Sequence, residues 1–134
     1  MGISVAHPMP AVLKIDRQRR IVVSTFYGEV TGENLLQHRA TIRADVEFNP
    51  DFADIVDFTG VNLVSVPETA LAQLASSESL FHKHVPHVIV TPAELPTGLA
   101  LQYRDIARDS RPNFYVVRTL DEAHALLRNL GYGR

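Results

Sequence analysis

The chain has 134 residues, of which 46% are hydrophobic and 21% are charged, and its formal net charge is −2. This length and balance are typical of one globular domain; they exclude general disorder, and the lack of a basic excess argues against nucleic-acid binding. The sequence contains no cysteine, which excludes disulfides, thiolate zinc sites and cysteine nucleophiles.

Residues 1–10 include Pro8 and Pro10. They predict a flexible tail, so that a single domain extends over residues 11–134. The tail lacks the charged and apolar regions of a signal peptide, and the chain has no run of about 20 apolar residues that would cross a bilayer. We therefore expect a cytoplasmic protein without a transmembrane segment.

The first part of the chain predicts a β-hairpin followed by a helix. Alternating and β-branched residues indicate strands at Ala11–Asp16 and Ile21–Tyr27, joined by a polar turn. Gly28 is expected to end the second strand. Thr31 is a suitable N-cap for a helix over about Gly32–Arg43.

A third strand and a second helix are predicted next. The strand covers Ala53–Phe58 and is expected to end at Thr59-Gly60. The segment Ser65–Glu68 (SVPE) has the spacing of a capping box, with Pro67 near the first helical position. We therefore expect a helix from this segment to about Ala75.

The last part of the chain repeats the alternation of strand and helix. Strands are predicted at His87–Thr91 and Asn113–Arg118, with a helix over about Pro96–Arg108 between them. A second capping box, Thr119-x-x-Glu122, begins a last helix with Gly131 as its C-cap. The order ββαβαβαβα predicts an α/β fold with four helices and a mixed five-stranded sheet, mostly parallel, with an antiparallel hairpin at one edge.

Three segments resemble the SpoIIAA-like, or STAS-type, family of anti-sigma-factor antagonists. They are Phe26–Thr31 (FYGEVT), Val56–Val61 (VDFTGV), and Val88–Val90 followed by Pro92 and Thr97–Ala100. The resemblance spans about Ala11 to Gly131. It implies the family's SpoIIAA-like fold and a non-enzymatic regulatory module that works through protein contacts, either with a protein partner or as a homodimer.

The family's phosphorylation motif is absent from its expected place in this sequence. Phosphoregulated members of the family carry Asp-Ser-Ser/Thr-Gly at the start of the second helix. Here Ser65 falls on the motif's Asp, and Val66 and Pro67 fall on its hydroxyl residues, so no phosphosite carries over. Ser65 is interpreted as an N-cap; the alternative, a phosphate on Ser65 at the helix amino terminus, would be repelled by Glu68.

Asp57 lies near the carboxyl end of a central strand, where open α/β sheets place ligands. It belongs to a candidate ligand or partner loop. The candidate residues are Asp57, Thr59, Ser65, Glu68, Thr91, Thr97 and Tyr103. The alternative is structural, since an Asp at a strand end often caps a turn and Tyr103 lies on an apolar helix face.

The remaining polar features give weaker indications. His82, His84 and His87 match no defined metal-site spacing and are interpreted as loop histidines, so no metal or cofactor is predicted. Arg39 and Arg43 lie within the apolar arc of the first helix, and Leu101 points away from the stripe of the third. These last three residues are the candidate association surface.

Three functions remain open from the sequence. The leading hypothesis is a STAS-type regulatory or interaction module, because the resemblance spans the chain and no catalytic motif is found. The second is a carrier or sensor of a small apolar or lipid-like ligand. The third is a small enzyme that uses Asp57 with a nearby hydroxyl or histidine.

Overall fold

The computed structural model describes residues 11–76, 80–91, 101, 104–105, 108 and 111–133. These residues form five strands and three helices. The strands are β1 (Ala11–Asp16), β2 (Ile21–Thr31), β3 (Ala53–Ser65), β4 (His87–Val90) and β5 (Phe114–Val117). The helices are α1 (Gly32–Ala44), α2 (Glu68–Ser76) and α3 (Leu120–Asn129).

The five strands make one mixed sheet in the order β1-β2-β3-β4-β5. β1 pairs with β2 as an antiparallel hairpin, and β2, β3, β4 and β5 are parallel. The predicted α/β class and the mixed five-stranded sheet are therefore confirmed. Most of the predicted helix over Pro96–Arg108 lies outside the described residues, of which Leu101, Arg104 and Asp105 are helical.

Alternate residues of each strand point to opposite faces of the sheet, and the two faces are covered differently. One face packs on α3 through a cluster that includes Ile55, Val88 and Leu127, each 0% exposed. The other face lies beneath α1 and α2 and carries Ser24, Asp54 and His87 at its inward positions. We call these the α3 face and the cavity face.

The two central strands are longer than predicted. β2 continues through Gly28 to Thr31, and β3 continues through Thr59-Gly60 to Ser65. Gly28 has φ +63°, which a residue with a side chain rarely adopts, and it lies at an irregularity in the β2–β3 pairing. The glycine therefore forms a bulge within the strand instead of ending it.

The helix caps follow the predictions in part. Thr31 caps α1 as expected, since its side chain accepts from the Asn34 N–H and the Asn34 side chain accepts from the Thr31 N–H. Thr119 caps α3 by accepting from the Glu122 N–H. The predicted N-cap role of Ser65 is wrong, because Ser65 pairs with Thr31 in the sheet and α2 begins only at Glu68.

Candidate functional site

The cavity face contains an apolar cavity of about 200 Å³ between the sheet and the two covering helices. The strands contribute apolar side chains to its floor, and α1 and α2 contribute them to its wall. The apolar residues around it include Phe26, Val30, Leu35, Ile42, Val56, Phe58, Val64, Leu71, Leu74, Phe81, Ile89 and Phe114. Such a lining, interrupted by a few polar groups, is typical of sites that bind small molecules.

The Ser24 hydroxyl and His38 Nε2 share a hydrogen bond of 2.6 Å inside this cavity. Both residues are buried, at 1% and 5% exposed, and the Phe26 and His38 rings pack in a T-shaped arrangement with their centroids 5.0 Å apart. Burial lowers the pKa of His38 because the charged imidazolium is poorly solvated there, while the negative charge of Asp54 acts in the opposite direction. His38 is therefore neutral near pH 7.

Asp54 and His87 form the second polar pair of the cavity. His87 Nδ1 donates to Asp54 Oδ2 over 3.1 Å, and the two residues are adjacent in the β3–β4 register. The other carboxylate oxygen, Oδ1, is buried and has no hydrogen-bond partner among the described residues. An unsatisfied buried polar group costs about 1–3 kcal/mol, and more if it is charged, so this oxygen lowers the stability of the cavity face.

The Asp54–His87 pair lies at one end of the cavity, whereas Ser24 lies farther along, level with Val56 and Ile89 in the sheet. Asp54 and His87 lie at the amino ends of β3 and β4, and Arg111 lies just before the amino end of β5. Beyond Ser24, toward the carboxyl ends of the strands, the lining includes the apolar residues Phe58 on β3 and Val30 on β2. The cavity therefore has a polar end and an apolar end, which suits an amphipathic ligand.

Asp57 lies on the opposite face from this cavity. It is buried, it pairs in register with Val90 of the α3-face cluster, and its Oδ1 accepts from the Thr59 N–H over 2.8 Å. Thr59 itself is exposed. The carboxylate thus caps a backbone amide, which is the structural alternative considered for it in the sequence.

The other residues of the predicted loop are not brought together either. Ser65 is exposed at the end of β3, whereas Thr91 is 0% exposed after β4, where its backbone pairs with that of Val117. The backbone of Glu68 begins α2, and Thr97 and Tyr103 lie outside the described residues. The candidate loop therefore does not form one site in the part of the chain that is described.

The three neighbouring histidines separate into two environments. His82 Nδ1 bonds to Asp51 Oδ1 at the surface, and His84 Nε2 lies 3.8 Å from the same oxygen. His87 instead points into the cavity and bonds to Asp54. The structure, over the residues it describes, contains no group of three potential ligands arranged to hold a metal ion.

The candidate association surface also divides. Arg39 is half-buried and lines the cavity, whereas Arg43 is exposed. Leu101 is 37% exposed. Arg39 therefore belongs to the same site as His38, its neighbour on α1, and not to an outer surface.

Three polar residues of the cavity, Ser24, His38 and Asp54, were not singled out in the sequence, whereas His87 and Arg39 were named there in other roles. Ser24 occupies an inward position of an alternating strand, and His38 follows Leu35 and precedes Ile42 at helical spacing on the buried side of α1. Asp54 lies within a strand in which Ala53 and Ile55 are fully buried. The sequence signal for these residues was a polar side chain at a position where the pattern of apolar residues predicts burial.

Comparison with known proteins does not add to this geometry. No protein-family model matches the sequence, and no curated protein matches it significantly. The STAS-type resemblance therefore stays a prediction. Among the described residues, no helix combines the length and apolar character that crossing a membrane requires.

Proposed function

We propose that the protein is a carrier or receptor for a small, mostly apolar molecule, which binds in the cavity beneath α1 and α2. The observation that carries this proposal is the cavity of about 200 Å³ with an apolar lining and one polar end. A dry cavity of about 150 Å³ in another protein takes up benzene, so a ligand of about eight non-hydrogen atoms is the appropriate size.

Binding is favoured over catalysis because the polar pairs lack the groups that acyl transfer needs. Ser24 and His38 have the separation of a nucleophile and its base, but no carboxylate in the described part of the chain hydrogen-bonds to His38. The Ser24 hydroxyl also lies in mid-strand, where the backbone N–H groups of β2 are used in the sheet. The enzyme based on Asp57 loses its support, because that carboxylate caps Thr59.

A series of alkylbenzenes, from benzene to butylbenzene, tests the proposal by calorimetry or NMR titration. Burying each added CH₂ group contributes about 0.8 kcal/mol to the binding free energy. The affinity should therefore rise about fourfold per carbon until the cavity is full. Longer chains should then bind more weakly. Absence of saturable binding across the series would overturn the proposal.

Two variants locate the site. Leu74→Trp adds volume at the cavity wall, and Leu126→Trp adds the same volume on α3, against the opposite face. We expect the first to abolish alkylbenzene binding and the second to leave it within about twofold of the wild type. Equal losses in both variants would show that binding does not occur in this cavity.

As a second candidate function, we propose a STAS-type regulatory module that acts through protein contacts in the cytoplasm. One support is the antiparallel hairpin at the edge of the sheet. The other is that residues 27–31 of β2 and 60–65 of β3 pair with each other beyond the ends of the β1–β2 and β3–β4 pairings. This extension carries Tyr27 and Leu63, which are 50% and 47% exposed. Large apolar side chains at such a projection suit a protein–protein contact.

Sedimentation equilibrium tests this second candidate. If the extension joins two copies, the wild type should be a dimer and Leu63→Glu a monomer. Leu130→Glu is the matched control, because Leu130 is similarly exposed, at 44%, but lies at the end of α3. A monomeric wild type that recovers no partner in native pull-downs would remove this candidate.

A further inference from the structure

The turn between β1 and β2 carries three exposed arginines that play no part in the cavity. They are Arg17, Arg19 and Arg20, and none of them lines it. Neighbouring guanidinium groups at a surface attract anions.

The same turn holds the chain segment that follows α3. The guanidinium group of Arg20 donates to the Gly131 carbonyl oxygen, and its Cζ lies 4.9 Å from the centre of the Tyr132 ring. The N–H of Gly133 donates to the Arg19 carbonyl oxygen over 3.0 Å. The end of α3 and the turn therefore form one surface.

Arg128 adds a fourth positive charge to this surface. It is exposed in the last turn of α3, and its Cγ lies 3.7 Å from where a Cβ atom at Gly133 would be. Burial lowers the pKa of His124, one turn earlier, and the charges of Arg19 and Arg128 lower that pKa further. Asp121 acts in the opposite direction. The turn and the helix thus share one region of positive potential, which we call the arginine patch and which consists of Arg17, Arg19, Arg20 and Arg128.

The carboxylates nearest to the arginine patch compensate for only part of its charge. Asp16 lies 3.7 Å from Arg19, and Asp121 acts on His124. Four arginines and these two aspartates have a summed formal charge of +2, whereas the net charge of the chain is −2. Further carboxylates lie in the loop before β3, but Phe48 and Phe52 of that loop pack on the cavity face of the hairpin. The charges of the described residues are therefore unevenly distributed.

An exposed leucine borders the arginine patch. Leu130 is 44% exposed and precedes Gly131, to which Arg20 is bonded. Basic side chains beside an exposed apolar one suit the surface of an anionic bilayer, where the cations meet phosphate groups and the apolar side chain enters the boundary of the acyl chains. An acidic polypeptide would pair with the arginines alone. The bilayer is therefore the partner that uses both features.

We propose that the arginine patch and Leu130 bind the surface of a bilayer that contains anionic phospholipids. This binding goes beyond the proposed carrier function and does not require it. The two are chemically compatible, because a small apolar molecule dissolves in the hydrocarbon of a bilayer. Contact with such a surface brings a carrier to the phase in which its ligand is concentrated.

Co-sedimentation of the full chain with vesicles tests the proposal. One set of vesicles is pure phosphatidylcholine, and the other contains phosphatidylglycerol at about one lipid in three. We expect binding to the anionic vesicles to be at least about tenfold tighter than to the neutral ones, and most of this preference to be lost when NaCl rises from about 0.05 M to about 0.5 M. Equal binding to both sets, or binding to neither, would overturn the proposal.

Arginine variants locate the contact. Each arginine near an anionic surface contributes about fivefold to binding, so Arg17→Gln should weaken it about fivefold and the double variant Arg17→Gln/Arg19→Gln about 25-fold. Arg43→Gln is the matched control, because it removes the same charge from another exposed arginine, in the last turn of α1. Its binding should stay within about twofold of the wild type. Equal losses in Arg17→Gln and Arg43→Gln would show that only net charge matters and that the patch is not the site.

An apolar variant separates a bilayer from an acidic polypeptide. Leu130→Gln should weaken vesicle binding about tenfold, whereas Val46→Gln, at an apolar residue that is 98% exposed in the loop before β3, should leave it unchanged. Full vesicle binding by Leu130→Gln, or tighter binding of polyglutamate than of the anionic vesicles, would overturn the assignment to a bilayer. The alkylbenzene titrations are done without vesicles, so failure of either proposal leaves the other standing.

Discussion

The two faces of the sheet are built on different principles. On the α3 face, the inward residues Ile55, Val88 and Leu127 are fully buried and belong to one apolar cluster. On the cavity face, the inward positions of β3 and β4 hold Asp54 and His87, beside a cavity of about 200 Å³. Closely packed apolar contacts stabilise a fold, whereas voids and buried polar groups lower its stability. The contrast indicates that the α3 face stabilises the domain, and it supports the proposal that the cavity face binds a ligand.

The largest expected change in stability comes from replacing one leucine on each face. Leu127→Ala should lower the free energy of unfolding by about 3 kcal/mol, because the side chain is 0% exposed and surrounded by the α3-face cluster. Leu74→Ala should cost about 2 kcal/mol or less, because Leu74 borders an existing cavity and has fewer contacts to lose. Urea denaturation measures both, and equal losses would contradict the difference between the faces.

The next effect concerns the pH dependence of stability. Burial lowers the pKa of His38 from its ordinary value of 6.5, so the unfolded chain binds a proton more readily than the folded protein. The contribution of His38 to stability should therefore be nearly constant well above pH 6.5 and should fall as the pH drops through and below that value, by at most about 1.4 kcal/mol per pH unit. Denaturation midpoints measured between pH 7.5 and about 5 test this slope.

A histidine on α3 provides the control for this slope. Burial also lowers the pKa of His124, with the charges of Arg19 and Arg128 adding to the effect and Asp121 opposing it, but His124 is less buried than His38. His38→Gln should reduce the slope more than His124→Gln does. An unchanged slope in His38→Gln would show that His38 is not held neutral by the cavity face.

The smallest effect concerns the close packing of the two helices over the cavity. A Cβ atom added at Gly32 would lie 3.0 Å from the Cβ of Ala70, so Gly32→Ala should push α1 away from α2 and cost about 1 kcal/mol. Ala70→Gly should cost a similar amount through helix propensity. Because the glycine makes room for the added methyl group, the double variant should lose about 1 kcal/mol rather than the sum. Additive losses in urea denaturation would contradict this contact.

The sequence correctly predicted those elements that depend on neighbouring residues, such as a strand in a hairpin or a helix cap. The bounds of β1 are those predicted, and Thr31 caps α1 through the expected side chain. The extension of β2 and β3 was not predicted, because a glycine such as Gly28 after a run of strand residues usually marks the end of the strand. Its left-handed φ is instead accommodated by a bulge, and only the pairing with β3 shows this.

The candidate site depended on contacts that sequence spacing does not reveal. Ser24 and His38 are on different elements, and their hydrogen bond follows from the packing of α1 on β2. Asp54 meets His87 only through the register of β3 with β4. The sequence emphasised Asp57 because of its place at a strand end, yet the two-residue period of the strand puts that side chain on the α3 face.

The most direct test of the central claim is to locate a bound apolar probe by NMR with methyl-labelled protein. With toluene present, intermolecular nuclear Overhauser effects should connect the probe to the methyl groups of Leu71, Leu74 and Ile89, which line the cavity. The methyl groups of Val90 and Leu127, on the α3 face, should show none. Contacts to Val90 and Leu127, or no contact with the cavity methyl groups at saturating toluene, would contradict the assignment of binding to the cavity face.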